Sequence, residues 1–172
     1  RISGGTTWGP NKDNILFRMG QPSILAKDKD TMDFKSSSQN IFYAQYLYPL
    51  RGVGLYDRMG QHALLFNIEL RLPFLIYYFP TIKYIGQING VFFTDIGVAW
   101  NSDQFPSFFD DTQWHNPSDS SSYDNPTGWT MTYGFGPRII FLGYPWKLDY
   151  AWEFNPHEGT ISNRKWYITI GL

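Results

Sequence analysis

The sequence predicts an all-β, antiparallel transmembrane β-barrel, of which this chain supplies about six strands. Several segments alternate strictly between apolar and polar residues, so that one face is apolar and the other carries amides and charges. Long polar stretches separate some of these segments and tight turns separate others. Lipid-facing strands around a polar lumen, joined by short turns on one side and long loops on the other, show this pattern.

Composition agrees with this fold class. Aromatic residues make up 19% of the 172 residues, yet mean hydropathy is only −0.34. The longest apolar run, Leu72 to Pro80, is far shorter than the roughly 20 residues that a spanning helix needs. A net charge of −1 argues against a nucleic-acid partner, and the absence of Cys fits a cell-envelope compartment.

The segments follow one another in a simple order. Residues 1–8 are interpreted as the end of a strand and residues 9–61 as a long loop. The five strands that follow are predicted at residues 62–72, 87–100, 129–142, 146–154 and 164–172. A membrane barrel needs at least about eight strands to close. We therefore expect the missing strands to come from the part of a longer protein that precedes Arg1, or from other copies of the chain.

The alternation also assigns faces. It is clearest after the turn Gly143-Tyr144-Pro145, where five apolar residues are predicted to face outward: Trp146, Leu148, Tyr150, Trp152 and Phe154. The same parity places a set of mostly polar residues inside, namely Asn67, Glu69, Arg71, Asp95, Arg138, Lys147, Asp149 and Glu153. The polar stretch 101–128 is predicted to be an extracellular loop.

Catalytic patterns are absent from the sequence. It has neither Cys nor the motifs Gly-x-Ser-x-Gly and His-Glu-x-x-His. Its three histidines, His62, His115 and His157, are far apart and are interpreted as surface residues. The acidic residues of loop 101–128 lack the spacing of a known calcium loop. We expect a non-enzymatic protein without a cofactor.

Four motifs stand in a fixed order: Leu50-Arg51-Gly52, residues 67–74, residues 90–100, and Gly134-Phe135-Gly136-Pro137-Arg138. Together they resemble the C-terminal part of the BamA-like bacterial surface-antigen superfamily. Its members are outer-membrane barrels of roughly sixteen strands that insert or translocate other proteins. The resemblance covers nearly all of the chain, with residues 9–61 as a long extracellular loop folding into the lumen and residues 62–172 as the last five strands. Val53 departs from the family, which usually has an aromatic residue there.

The resemblance implies a location and partners. We expect the protein in the bacterial outer membrane, in contact with its lipid, with client outer-membrane proteins and periplasmic or lipoprotein accessory subunits as partners. Relatives also use such barrels to anchor an upstream domain. Two alternatives stay open: a passive porin or channel, and a soluble aromatic-rich β-sandwich that binds carbohydrate.

The resemblance also implies a lock between the loop and the lumen, made by Arg51, Gly52 and Asp95. Guanidinium and carboxylate groups fit each other in bidentate geometry, and glycine allows the backbone a close approach. A wider lumen network is expected from Glu69, Arg71, Arg138, Asp149 and Glu153. Simple solvation of these charges is the alternative.

The last strand carries the expected closing and assembly signal, which comprises Trp166, Ile168, Ile170, Gly171 and Leu172. We expect this strand to pair with the first strand of the barrel. Outward positions recur every second residue. The natural protein is therefore expected to continue about two residues beyond Leu172 and to end in an aromatic residue.

Overall fold

The computed structural model describes residues 1–9, 16–21, 44–46, 49–54, 57–73, 88–101, 104–118, 126–162 and 165–170. In chain order the strands are β1 (Ile2–Thr6), β2 (Leu16–Met19), β3 (Ala44–Tyr46), β4 (Arg58–Gly60), β5 (His62–Leu72), β6 (Asn89–Trp100), β7 (Gly128–Phe141), β8 (Tyr144–Asn155), β9 (Thr160–Ile161) and β10 (Lys165–Ile170). One turn of 3₁₀ helix, Asp111–Gln113, lies between β6 and β7.

The main sheet confirms the predicted all-β, antiparallel fold. Its strands lie in the order β1-β5-β6-β7-β8-β10, with β9 paired to β8, and every pairing is antiparallel. Apart from β9, the main sheet therefore consists of the short strand β1 and five further strands, as the alternation predicts. Within the described residues this sheet does not close into a barrel.

The register confirms the predicted faces. One transverse row aligns Asn67 with Asp95, Asp95 with Thr132, and Thr132 with Glu153. We call the face that carries this row the inner face. The opposite, outer face is apolar, and several of its large side chains are exposed: Ile68, Leu70, Phe92 and Phe135. An apolar surface of this extent is unusual on a water-soluble monomer.

No helix among the described residues is long and apolar enough to cross a membrane.

A smaller sheet belongs to the predicted loop 9–61. Strand β2 pairs with β3 in parallel and with β4 in antiparallel orientation. The segment predicted as a long loop therefore contains three short strands. We call residues 16–21, 44–46, 49–54 and 57–60 the inner segment. Its apolar side chains pack with three inner-face residues of β5 and β6 in one cluster: Phe17, Met19, Leu50 and Val53 with Ala63, Leu65 and Ala99.

Small inner-face residues make room for this packing. A Cβ atom added at Gly97 would lie 3.1 Å from Leu50 Cδ2 and 3.5 Å from Leu65 Cδ1. Leu50 is fully buried, so it has no solvent-filled space into which it could retreat. The absence of a side chain at Gly97 therefore lets the inner segment lie directly against β6.

We predict that Gly97→Val loosens the inner segment. Overpacking a filled site costs about 1–3 kcal/mol, and the displaced residue here would be Leu50. The measurement is the rate at which a protease cleaves between residues 16 and 60 in the folded protein. Thr94→Val, on the outer face of the same strand, is the isosteric control. Equal cleavage rates in both variants would contradict this account of Gly97.

Candidate functional site

The inner face concentrates acidic and amide groups at the centre of β5 and β6. Asn67 and Asp95 are direct neighbours in the register, and Asn67 Nδ2 donates to Asp95 Oδ1 at 2.9 Å. Glu69 lies on the same face two residues after Asn67, because side chains of one parity share a face. Asp95 is fully buried, so its negative charge requires a partner inside the protein.

Arg51 of the inner segment supplies that partner. Its Nε and Nη2 atoms donate to Asp95 Oδ2 and Oδ1, both at 2.6 Å, which makes the contact bidentate. The Arg51 backbone N–H donates to Asp95 Oδ2 at 3.3 Å, and Nη1 donates to Glu69 Oε1 at 2.5 Å. Asp95 thus binds both the backbone and the side chain of Arg51. This carboxylate neutralises the arginine and also fixes the position of the loop.

Two further contacts hold the Arg51 motif. The guanidinium carbon lies 3.8 Å from the centroid of the Phe93 ring, a cation–π geometry. Gly52 has a φ of +88°, a conformation that favours glycine. A Cβ atom at this position would also come within 3.1 Å of Ala151 Cβ. Glycine at position 52 therefore allows both the positive φ angle and the close approach to β8.

The surroundings of Arg51 keep it charged. Burial of the guanidinium lowers its pKa, but the hydrogen bond and the charge of Asp95, with the charge of Glu69, more than offset this effect. The pKa of Arg51 is therefore raised above its ordinary value, and the cation persists inside the site.

The remaining residues of the expected network divide into separate groups. Arg71 donates through Nη2 to Glu69 Oε2 at 2.9 Å, which extends the Arg51 site toward solvent. Arg138 Nη2 lies 2.5 Å from Asp149 Oδ1 in a second ion pair. Gln21 of the inner segment donates to Asp149 Oδ2 at 3.1 Å, so this second pair also contacts the loop.

A third group surrounds Glu153, which is buried on β8. Arg58 of β4 donates from Nη2 to Glu153 Oε1 at 3.1 Å and from Nε to Thr130 Oγ1 at 2.8 Å. His115, from the segment between β6 and β7, contacts the same oxygen of Glu153 through Nδ1. This carboxylate therefore joins the inner segment, the 104–118 segment and the main sheet.

Sequence reasoning was wrong about His115 and missed Arg58. His115 was expected at the surface, but it is buried against Glu153. The sequence gives little indication of this group, because its three members are separated by 38 to 95 residues along the chain. The buried acid at position 153, assigned inward by parity, was the only feature that called for cations nearby.

The expected closing strand occupies the edge of the main sheet. Its outward residues oppose those of β8: Trp166 pairs with Tyr150, Ile168 with Leu148, and Ile170 with Trp146. Among the described strands, β10 has a neighbour on one side only. Gly171 and Leu172 lie outside the described residues.

Each fully buried carboxylate of the inner face thus meets an arginine: Asp95 meets Arg51, Asp149 meets Arg138, and Glu153 meets Arg58. In the described part of the chain, no group of three or more His, Cys, Asp or Glu residues could hold a metal ion. In each pair the arginine neutralises the charge of the buried carboxylate and holds its position. What this arrangement can do is fasten two loops to the sheet.

Comparison with known proteins gives one match. A family model described as the Omp85 superfamily domain matches residues 51–172. No curated protein and no solved structure matches the chain. The matched region begins at Arg51 and includes Asp95, Asp149 and Glu153.

We predict that Arg51 and Asp95 act as one unit. Removing either partner of a buried ion pair costs about 3–5 kcal/mol, because the other charge is left unpaired. Arg51→Ala and Asp95→Ala should each expose the inner segment to protease, and the double variant should be less than additive. Arg71→Ala is the control, with an expected cost of about 0–1 kcal/mol for an exposed pair. Additive effects of the two alanine substitutions would refute the pairing.

We also predict that Glu153 couples two loops. Glu153→Gln keeps the shape of the side chain but removes the charge that faces Arg58 and His115. Hydrogen exchange should then speed up in both residues 57–60 and residues 104–118. Asp149→Asn, whose partners are Arg138 and Gln21, should leave residues 104–118 unchanged. Faster exchange in only one of the two loops after Glu153→Gln would show that they are not coupled through this carboxylate.

Proposed function

Because the chain belongs to the Omp85 superfamily, whose members are outer-membrane proteins, we propose that it forms the C-terminal part of a bacterial outer-membrane β-barrel that inserts or translocates other proteins. Where the natural protein carries an upstream periplasmic domain, the barrel also anchors it. Its proposed partners are outer-membrane lipid, client outer-membrane proteins, and periplasmic or lipoprotein accessory subunits.

The observation that carries this proposal is the lock between Arg51 and Asp95. It fixes a long loop to the inner face of the last strands in the region that the family model covers. A segment fastened to the inner face by buried ion pairs occupies space through which solutes would diffuse in a passive pore. This favours a barrel that keeps a defined internal arrangement over a passive pore.

The outer face supports the membrane location. Its exposed side chains form cross-strand aromatic neighbours, such as Phe135 stacked on Tyr150 at 5.6 Å and Phe92 at 6.3 Å from Phe135. In lipid such a surface is solvated by acyl chains, whereas in water it would favour aggregation. This argues against the soluble carbohydrate-binding alternative, which needs a second sheet to cover the apolar face.

We propose a non-enzymatic role for the described residues. The buried acids are held by arginines, and a general acid or base needs access to a substrate proton. The chemistry of this site is therefore mechanical: charged groups position loops, and no bond is made or broken.

The function is tested with the natural protein in liposomes. We expect these vesicles to accelerate the folding of an added, unfolded outer-membrane barrel compared with empty vesicles, and Asp95→Asn to reduce the acceleration. Ion conductance is measured in parallel. High conductance with no effect on client folding, for the unmodified protein, would replace the proposal with the porin alternative.

We predict that the two faces of β8 respond differently to a new charge. An arginine at the middle of a lipid-facing surface costs about 2–4 kcal/mol, so Tyr150→Arg should lower the folded yield, measured as heat-modifiable migration on a detergent gel. Lys147→Arg, on the inner face, keeps the existing charge and is the control. Equal yields in liposome refolding would contradict the assignment of Tyr150 to lipid.

A further inference from the structure

The segment 104–118 folds back over the outer face of β6 and β7. Trp114 forms a bridge with Trp129, and the two indole rings stack with centroids 6.0 Å apart. The Phe108 ring lies 5.0 Å from both indoles in edge-to-face geometry. Phe105 contacts Trp100 at 5.0 Å in the same way. We call residues 105–114 the aromatic knob.

Hydrogen bonds fix the knob in this position. Trp114 Nε1 donates to the Phe108 carbonyl at 2.8 Å, and Trp129 Nε1 donates to the Pro106 carbonyl at 3.1 Å. His157, from the turn after β8, contacts the same Phe108 carbonyl through Nε2 at 3.2 Å. The polar atoms of both indoles are therefore satisfied within the protein, so the knob does not depend on water to hold its shape.

Three phenylalanine rings remain uncovered on this scaffold. Phe105 is 55% exposed, Phe108 is 39% exposed, and Phe109 is 87% exposed. Phe109 packs edge-to-face on Phe108 at 5.7 Å, so its ring is supported on one side only. Adjacent exposed phenyl rings on a hydrogen-bonded segment mark an interaction surface.

The exposed rings continue the outer face of the sheet. Trp100 is the last outward residue of β6, and Trp129 is the first outward residue of β7. Each of them contacts a phenylalanine ring of the knob. Val98, the next outward residue of β6, belongs to the same cluster, and the cross-strand pair Ile96 and Met131 packs against it. The knob thus lengthens the apolar surface assigned to lipid at this end of β6 and β7.

We propose that the aromatic knob is seated in the interfacial layer of the bilayer at the extracellular end of the barrel, with Phe109 inserted among the lipids. This rests on the membrane location proposed above. Aromatic side chains collect at that layer, where rings meet both acyl chains and headgroups. Asp110 and Asp111 are exposed directly beside Phe109, and the cost of burying a carboxylate in hydrocarbon holds the tip at headgroup depth.

This location in the interfacial layer gives the knob a mechanical role. The same segment carries His115, which contacts Glu153 on the inner face. Lipid contact at Phe109 and the buried charge at Glu153 therefore hold one short segment from both sides of the barrel wall. Residues 104–118 therefore link the depth of the knob in the bilayer to the packing around Glu153 on the inner face.

The test uses the natural protein in liposomes, freed of any other cysteine, with single cysteines that carry an environment-sensitive fluorophore. The labelled variants are Phe109→Cys, the outer-face control Ile68→Cys, and Ser118→Cys on the exposed, polar part of the same segment. Lipids that carry a nitroxide quencher near the headgroup or deep in the acyl chain report depth.

We expect the label at position 109 to shift to shorter emission wavelength in liposomes and to be quenched more by the shallow nitroxide than by the deep one. The label at position 68 should show the reverse order, and the label at position 118 should stay unquenched. If position 68 is quenched while position 109 is not, the knob proposal is wrong although the membrane location stands. If neither is quenched, the membrane location itself fails. Shielding of position 109 that appears only at high protein density would identify self-association instead and would also overturn the proposal.

Discussion

An arginine carried by a loop into a buried site must be met there by a carboxylate, because an unpaired buried charge costs several kcal/mol. In this protein the loop brings Arg51, and the sheet presents Asp95 in bidentate geometry. The register of β5 and β6 places Asn67 and Glu69 around the same point. Without Arg51 the buried charge of Asp95 would be unpaired, and without Asp95 the buried charge of Arg51 would lack its main partner. The docked loop and the inner face therefore specify each other.

Apolar packing and charge act together in this docking. Leu50 and Val53 flank the Arg51 motif and join the apolar cluster of the inner face, while Gly52 allows the backbone to approach Ala151. Burial of the neighbours excludes water from the ion pair and strengthens it. Arg58 and Gln21 repeat the arrangement at Glu153 and Asp149. Contacts spread over β6 and β8 in this way hold one arrangement of the loop.

The sequence predicted the main sheet well because alternation is a local signal. The faces of β5 and β8 follow from residue parity alone, and the register agrees with them. The lock at Arg51 followed from a family resemblance, because parity alone does not pair a loop residue with a strand. Arg58 and His115 could not be assigned, since their contacts with Glu153 join distant parts of the chain. The strands β2 and β4 were missed because three or four residues are too few to show a period, and only a weak alternation from Ile41 to Leu47 indicated a strand near β3.

Asp95 holds the loop through the backbone of Arg51 as well as through its side chain. Hydrogen exchange of the Arg51 amide in the natural, membrane-embedded protein tests it most directly, because this N–H donates to Asp95 Oδ2. We expect slow exchange of the Arg51 amide in the unmodified protein and a marked acceleration in Asp95→Asn, with the amides of β8 unchanged. Rapid exchange at Arg51 in the unmodified protein, or equal exchange in both proteins, would contradict it.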